Sequence, residues 1–344
     1  MLKAHYKPYQ LIFTNPVLTS RGQMQVKNGY YLVIEQDGKQ GIGECSFIEG
    51  LSIDKLDNYV QTLDTLCDAI NGDKPVDVTL LLSHPSIRFG YETAILDLEN
   101  GGNKLLYPSA FTNGQTGIPI NGLVWMGSKD FMQQQIEQKL KTGFGCIKIK
   151  VGAIDFNEEI SLLRFIRSKF PPDVIEIRLD ANGAFNATDV FDKLEQLSKF
   201  SIHSIEQPVK QKQPMLMQQV CAQSPIPVAL DEELIGVPEH EQAPLLRLLK
   251  PTYIILKPSL LGGFAICNQW IKNAVDQKTG WWATSALESN IGLNAIAQWV
   301  YGINPGMVQG LGTGGLYTNN ITSPLYIQNG HLYYNPQLPW AQIL

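Results

Sequence analysis

Cys146-Ile147-Lys148-Ile149-Lys150 is a short strand with its charges on one side. The two-residue period of an extended chain puts Lys148 and Lys150 on one face and Ile147 and Ile149 on the other. Four more apolar runs downstream also end on a charge: Ile177-Arg178-Leu179-Asp180, Ser204-Ile205-Glu206, Val228-Ala229-Leu230-Asp231 and Ile254-Ile255-Leu256-Lys257. Counted from Lys150, the gaps between these charges are 30, 26, 25 and 26 residues. Each gap is about one strand plus one helix, so the five side chains converge on one end of a parallel sheet. One charge at a strand end is ordinarily a cap or a solvated loop residue. Five in phase define a rim, and the C-terminal rim is where β/α barrels build their sites.

Around this core the repeat continues. Helix-like segments lie between the strands at Phe156 to Lys169, Ala187 to Lys199 and Gly263 to Val275, and a further strand ends near Ser285. Seven or eight such units in about 200 residues favour a closed barrel over an open doubly wound sheet. No GxGxxG opens a helix after the first strands, which also argues against the open sheet. The glycine-rich Gly310 to Gly315 reads as the loop of the last strand. The first ~115 residues differ: Tyr30 to Glu35 and Gln40 to Cys45 flank Asp37-Gly38 as a hairpin, with helical periodicity in Lys55 to Asn71 and Gly90 to Glu99. The expected division is therefore an α+β unit over 1–116, a barrel over 117–315, and a segment over 316–344. That last segment, with a hairpin turn at Gln328-Asn329-Gly330-His331, is expected to return to the first unit.

Composition narrows the function. The chain has 344 residues and a net charge of −5, with no basic stripe to engage nucleic acid. No uninterrupted apolar run is long enough for a bilayer, and the start lacks the apolar core of a signal peptide. Five scattered cysteines without a CxxC read as reduced thiols in the cytoplasm, and five scattered histidines leave a zinc site unsupported.

The rim residues make coherent chemistry. Asp180, Glu206 and Asp231 are hard oxygen donors suited to Mg²⁺, with Mn²⁺ as a substitute. Lys148 and Lys150 are expected to depress each other's pKa, leaving one usable as a base near neutral pH. Lys257 approaches from the far side of the barrel. A divalent ion flanked by lysines suits proton abstraction α to a carboxylate, the pattern named for enolase-superfamily sites. Arg178 either supports the metal carboxylates, reaches substrate or forms a structural ion pair. Ser285, with Gly312 and Thr313 in the last loop, either holds a second substrate carboxylate or is a helix N-cap beside an ordinary turn.

Lys148-Ile-Lys150, Asp180-Ala-Asn182, Glu206-Gln-Pro208, Asp231-Glu232 and Lys257-Pro258 resemble the muconate-lactonizing subgroup of the enolase superfamily in order and spacing. Within it, Asn121 to Trp125, Ser285 to Ser289 and Gly310 to Gly315 are most similar to the o-succinylbenzoate synthase family of menaquinone biosynthesis. The resemblance implies a modified (β/α)₇β TIM barrel with an α+β capping domain. It implies Mg²⁺ on Asp180, Glu206 and Asp231, and Lys150 as the base. Lys257 would then stabilise an enediolate from the opposite face, and Lys148 would tune Lys150. The implied reaction is syn-dehydration of 2-succinyl-6-hydroxy-2,4-cyclohexadiene-1-carboxylate. It also implies that the loop Thr19-Ser20-Arg21-Gly22 covers the site. Phe185 stands where many relatives carry tryptophan. N-succinylamino acid racemase and other cycloisomerases or epimerases of the subgroup use the same scaffold. A catalytically silent ligand-binding barrel would have lost a rim residue, and none is missing. The expected partner is a small carboxylate, with neither nucleic acid nor membrane; a homo-oligomer is left open.

Overall fold

A computed structural model describes residues 1–19, 22–303 and 306–342. The N-terminal sheet is antiparallel, in the order β1 (Lys3–Thr19), β2 (Gly22–Gln36), β3 (Lys39–Cys45). Asp37 and Gly38 both take positive φ, 52° and 78°, so the β2–β3 turn has the hand that strand twist favours. Tyr30 pairs with Cys45 and Glu35 with Gln40, matching the hairpin expected from sequence. Two helices, α1 (Tyr59–Asn71) and α2 (Pro85–Glu99), pack on this sheet. Helix α2 starts five residues before the periodic stretch that signalled it, because Pro85 supplies a preset first turn. Strand β1 had no sequence expectation: Lys7, Pro8, Gln10 and Asn15 interrupt its alternation, and its exposed outer edge tolerates them.

The strand–helix repeat then runs through β4 (Ile118–Pro119), β5 (Gly122–Val124), α3 (Lys129–Lys141), β6 (Cys146–Lys150), α4 (Phe156–Lys169), β7 (Glu176–Asp180) and α5 (Val190–Ser198). It continues with β8 (Ser204–Glu206), α6 (Pro214–Gln223), β9 (Val228–Leu230), α7 (Glu239–Leu249) and β10 (Tyr253–Leu256). Next come α8 (Pro258–Leu261), α9 (Phe264–Asp276), β11 (Gly280–Ala283) and α10 (Asn290–Ile303). Strands β5 to β11 form one seven-stranded sheet in sequence order, and every pair in it is parallel. Residues 309–310 add the eighth stave: Gln309 bridges Ile120 and Gly310 bridges Thr284, both in parallel. The architecture is thus a modified (β/α)₇β barrel beside a separate α+β sheet. Ile147, Ile149, Ile177, Leu179 and Ile205 are fully or almost fully buried against the helices, which leaves the alternate positions of the same strands to the barrel interior.

The C-terminal strands β12 (Leu325–Gln328) and β13 (His331–Tyr334) form a hairpin, and β13 pairs with β4 at the foot of the barrel. Before that hairpin, Thr318 N donates to Ile12 O at 2.9 Å and Tyr317 packs on Phe13. The segment therefore touches both the barrel and β1. Among the described residues, no helix is long and apolar enough to cross a membrane.

Candidate active site

The register fixes the rim. Lys150 lies opposite Asp180, and Asp180 opposite Glu206, across two parallel pairings. Asp231 follows the last residue of β9 and Lys257 the last of β10. All five strand-end charges meet at the C-terminal mouth. Lys148 Nζ lies 2.9 Å from Asp180 Oδ2 and also contacts Glu206 Oε2. Lys150 Nζ donates to the same Asp180 oxygen at 2.7 Å and to Asn182 Oδ1 at 2.6 Å. Lys257 Nζ contacts Asp231 Oδ2 and lies 3.9 Å from Glu206 Oε1. Strands β6 and β10 are four staves apart in an eight-staved barrel, so Lys148 and Lys150 face Lys257 across the mouth.

Above these groups is a cavity of about 280 Å³. Lys148, Lys150, Asn182, Glu232 and Lys257 give it a charged floor, while Asp180, Glu206 and Asp231 lie buried beneath. Its walls include Leu123, Trp125, Ser285, Leu287, Gly312 and Thr313 from the barrel, and Met24, Ile48 and Leu51 from the N-terminal unit. Gly22 and Gln23 also line it, whereas Ser20 and Arg21 of the expected covering loop lie outside the described residues.

Electrostatics follow from burial and spacing. Burial works against the charge of Lys148, but Asp180 and Glu206 outweigh it and hold the ammonium above its usual range. For Lys148 this corrects the expected lowering: the two carboxylates it touches outweigh both burial and the repulsion of Lys257. Burial likewise opposes Lys257, and Asp231 and Glu206 raise it. Asp180 sits among three ammonium groups that overcome its burial and hold it well below the carboxylate range. Burial and the neighbouring Asp180 push Glu206 up to about 8.

The donor set fits a hard cation. Oε2 of Glu232 is buried without a hydrogen bond, and the two buried oxygens of Glu206 face the ammonium groups of Lys148 and, at 3.9 Å, Lys257; a buried carboxylate in that state needs a cation nearby. In this structure Lys148 bridges Asp180 and Glu206, and Lys257 bridges Asp231 and Glu206. Among the described residues, no three carboxylates therefore close around one point. Metal binding there requires these ammonium groups to swing into the cavity they already line.

Of the four expected substrate contacts, Gly312, Ser285 and Thr313 line the cavity, and Arg178 needs correction. Arg178 does not line the cavity: it lies one layer down in the barrel, where it donates to Glu176 Oε1 at 2.7 Å and Val308 O at 2.9 Å and stacks on Trp282. Of its alternatives, the structural ion pair is the one formed. Ser285 and Thr313 do line the cavity, but their hydroxyl protons point inward, Thr313 to Ser285 at 2.8 Å and Ser285 to Glu288 at 2.5 Å. Neither proton is free for a carboxylate. Ser285 is also not the cap of α10, which starts at Asn290. Two residues went unassigned from sequence: Asn182, held at φ 43° with Nδ2 donating to Glu232 Oε1, and Glu232 itself. Their signal was adjacency, since each stands within two residues of a rim carboxylate.

Residues 131–338 match the family model described as Enolase C-terminal domain-like, and the chain belongs to that family. It is 44% identical to o-succinylbenzoate synthase of Desulfotalea psychrophila, over 96% of this chain and 98% of that protein. The crystal structure of MenC from Desulfotalea psychrophila superimposes with a TM-score of 0.87 at 42% identity, covering 96% of this chain and 99% of that one. A dipeptide epimerase from Enterococcus faecalis, complexed with Mg and the dipeptide L-Leu-L-Tyr, gives 0.85 over 98% of each chain. At 20% identity that likeness is one of fold.

Proposed function

We propose that this chain is an o-succinylbenzoate synthase that dehydrates 2-succinyl-6-hydroxy-2,4-cyclohexadiene-1-carboxylate with syn geometry, in menaquinone biosynthesis. The observation that carries the reading is the cavity floor, with Lys150 on one side and Lys257 on the other above three buried carboxylates. The 44% identity to a synthase over nearly the whole chain supports the choice of substrate.

Asp180, Glu206 and Asp231 would hold Mg²⁺, or Mn²⁺ in its place. A bound divalent ion would supply positive charge against the charge that grows on the substrate carboxylate. Lys150 takes the proton α to that carboxylate, and the electron pair moves into the enediolate. Lys257 faces the enediolate from the opposite side and stabilises its charge. The carbon–oxygen bond to the hydroxyl then breaks, and the Lys150 ammonium returns its proton to the departing oxygen as water leaves. Lys148, turned into the cavity beside Lys150, adds positive charge to its floor. The ring becomes aromatic, so stabilising the enediolate is the main demand on the site. Division of labour follows: residues 1–116 cap the mouth, 117–315 carry the chemistry, and 316–344 tie the two together. Five free thiols suit a cytoplasmic enzyme acting on a small carboxylate.

Epimerase activity on dipeptides is disfavoured by Gly312-Thr313-Gly314, which offers no carboxylate pair for an ammonium group. Racemisation of N-succinylamino acids shares the abstraction step and is the reading to test alongside. The assay is turnover of the cyclohexadiene carboxylate by Mg²⁺-loaded protein before and after chelation. Dehydration that stops on chelation and resumes with Mg²⁺ is expected. A metal-loaded protein that racemises N-succinylamino acids but does not dehydrate would remove the synthase reading.

A further inference from the structure

Glu288 is fully buried beside the cavity and lines none of it. Three donors converge on its two oxygens: Ser259 Oγ at 2.5 Å on Oε1, with Ser285 Oγ at 2.5 Å and Ala286 N at 2.8 Å on Oε2. That is the pattern of an ionised carboxylate, which can only accept. Ser259 lies two residues after Lys257, and Ser285 two after the end of β11. Thr313, which donates to Ser285, belongs to the loop after the eighth stave. One side chain thus ties together three successive strand ends of the mouth. Ser285 Oγ also accepts from Leu287 N at 3.1 Å, so its hydrogen-bonding capacity is full. Thr313 Oγ1 has given its proton inward and keeps acceptor lone pairs.

The surroundings supply the charge balance. Lys27 of β2 is 2% exposed and contacts Ser46 Oγ. Burial lowers the Lys27 ammonium and raises the Glu288 carboxyl, and the attraction between them, with the Ser259 and Ser285 hydrogen bonds on Glu288, offsets part of each shift. The N-terminal unit therefore supports the carboxylate that fixes the barrel's wall.

We propose that Glu288 is a positioning residue: it draws the Ser285 and Thr313 hydroxyl protons out of the cavity, so the wall at Thr313 reads a proton-bearing group, a ligand hydroxyl or a water it carries, and not a bare carboxylate. The proposal rests on the synthase reading for its kinetic test and on geometry alone for its structural one. The substitution Glu288→Leu would roughly keep the bulk of the side chain but remove both acceptors, so the Ser285 hydroxyl must find another partner and the Thr313 proton is freed toward the cavity; in Glu288→Gln the amide oxygen would stay with Ala286 N and Ser285 and leave the relay intact.

The experiment measures Glu288→Leu, Thr313→Val and their double variant in kinetics, with thermal melts to show that each is folded. For Glu288→Leu, a rise of about tenfold in KM with kcat held within about threefold is expected, as for a lost hydrogen bond that acts in binding. Thr313→Val should do the same, and the double variant should be no worse than either single one, because both act through one relay. A Glu288→Leu protein of lower thermal stability but unchanged KM would make the residue merely structural and overturn the proposal. Additive losses, or a collapse of kcat at constant KM, would overturn it too. Should the wild type lack dehydratase activity, the synthase reading fails by itself, and a neutron structure of the wild type decides the relay: a Thr313 deuteron on Ser285 and a Ser285 deuteron on Glu288 would sustain it, and a Thr313 deuteron directed into the cavity would overturn it.

Discussion

At the barrel mouth, Asp180, Glu206 and Asp231 are met by lysine ammonium groups, and Oε1 of Glu206 is buried with the Lys257 ammonium still 3.9 Å away. A short way off, at the junction with the N-terminal sheet, Glu44 is equally buried but saturated. It accepts from Tyr9 Oη, Ser289 N, Ser289 Oγ and Gly292 N, at 2.5 to 2.8 Å. Both regions bury several carboxylates, yet the burial is compensated differently. Directional hydrogen bonds from hydroxyls and from the start of α10 satisfy the Glu44 oxygens. The mouth carboxylates are held by ammonium groups on long side chains, which the proposed metal would have to displace. Saturation marks a structural cluster, and incomplete saturation marks one kept open for chemistry.

The largest expected effect breaks the mouth. Lys150→Ala should lower kcat by about 10³-fold or more, as for loss of a general acid–base group, with Mg²⁺ affinity measured by calorimetry retained. Activity within tenfold of wild type would remove Lys150 as the base. Next comes the saturated cluster. Glu44→Ala strands the buried ammonium of Lys27 and the donors at the start of α10, and should cost about 3–5 kcal/mol of stability in urea unfolding. A loss below about 1 kcal/mol would show that water takes over the carboxylate's role.

Asp54 offers a smaller, pH-dependent contrast inside the N-terminal unit. Its Oδ1 accepts from Ser86 N and Ser86 Oγ near the start of α2, while Oδ2 is buried without a partner. Burial outweighs these bonds and raises the carboxyl to about 6, from 3.8 when exposed. The folded state therefore holds this proton more tightly than the unfolded one. The resulting stability is fully present below about pH 3.8 and is lost as pH rises through about 6, a swing of up to about 3 kcal/mol. Urea melts of wild type and Asp54→Asn should diverge in favour of wild type on moving from pH 8 to pH 4.5. A difference that does not change with pH would refute the shift.

Much of this was legible in sequence, and the exceptions have physical reasons. The helix over Phe156–Lys169 matches its expected bounds because Asp155 caps it by accepting from Asn157 N, and Arg167 and Lys169 close it. The rim charges were readable because parallel strands with helical crossovers repeat at nearly constant length. The hairpin at Asp37-Gly38 was readable from its turn residues. Strand β1 was not: Leu11 and Phe13 keep the step of two, but Lys7-Pro8 before them and Asn15-Pro16 after them cut it too short to read. The hydroxyl relay was not readable either, because proton direction at Ser285 depends on Glu288 and Thr313, and Thr313 arrives from a stave 28 residues on. Arg178 shows the limit of face assignment: the step of two correctly puts it inside the barrel with Asp180, but one layer deeper, where Trp282 and Glu176 engage it.

The most direct measurement of the open mouth is a crystal structure of the protein soaked with Mn²⁺, with the ion located by its anomalous signal. One ion contacted by Asp180, Glu206 and Asp231 is expected, with the Lys148 and Lys257 ammonium groups turned away from those carboxylates into the cavity. Lysine bridges left in place at saturating Mn²⁺, with no ion at the mouth, would contradict the metal site and the chemistry built on it.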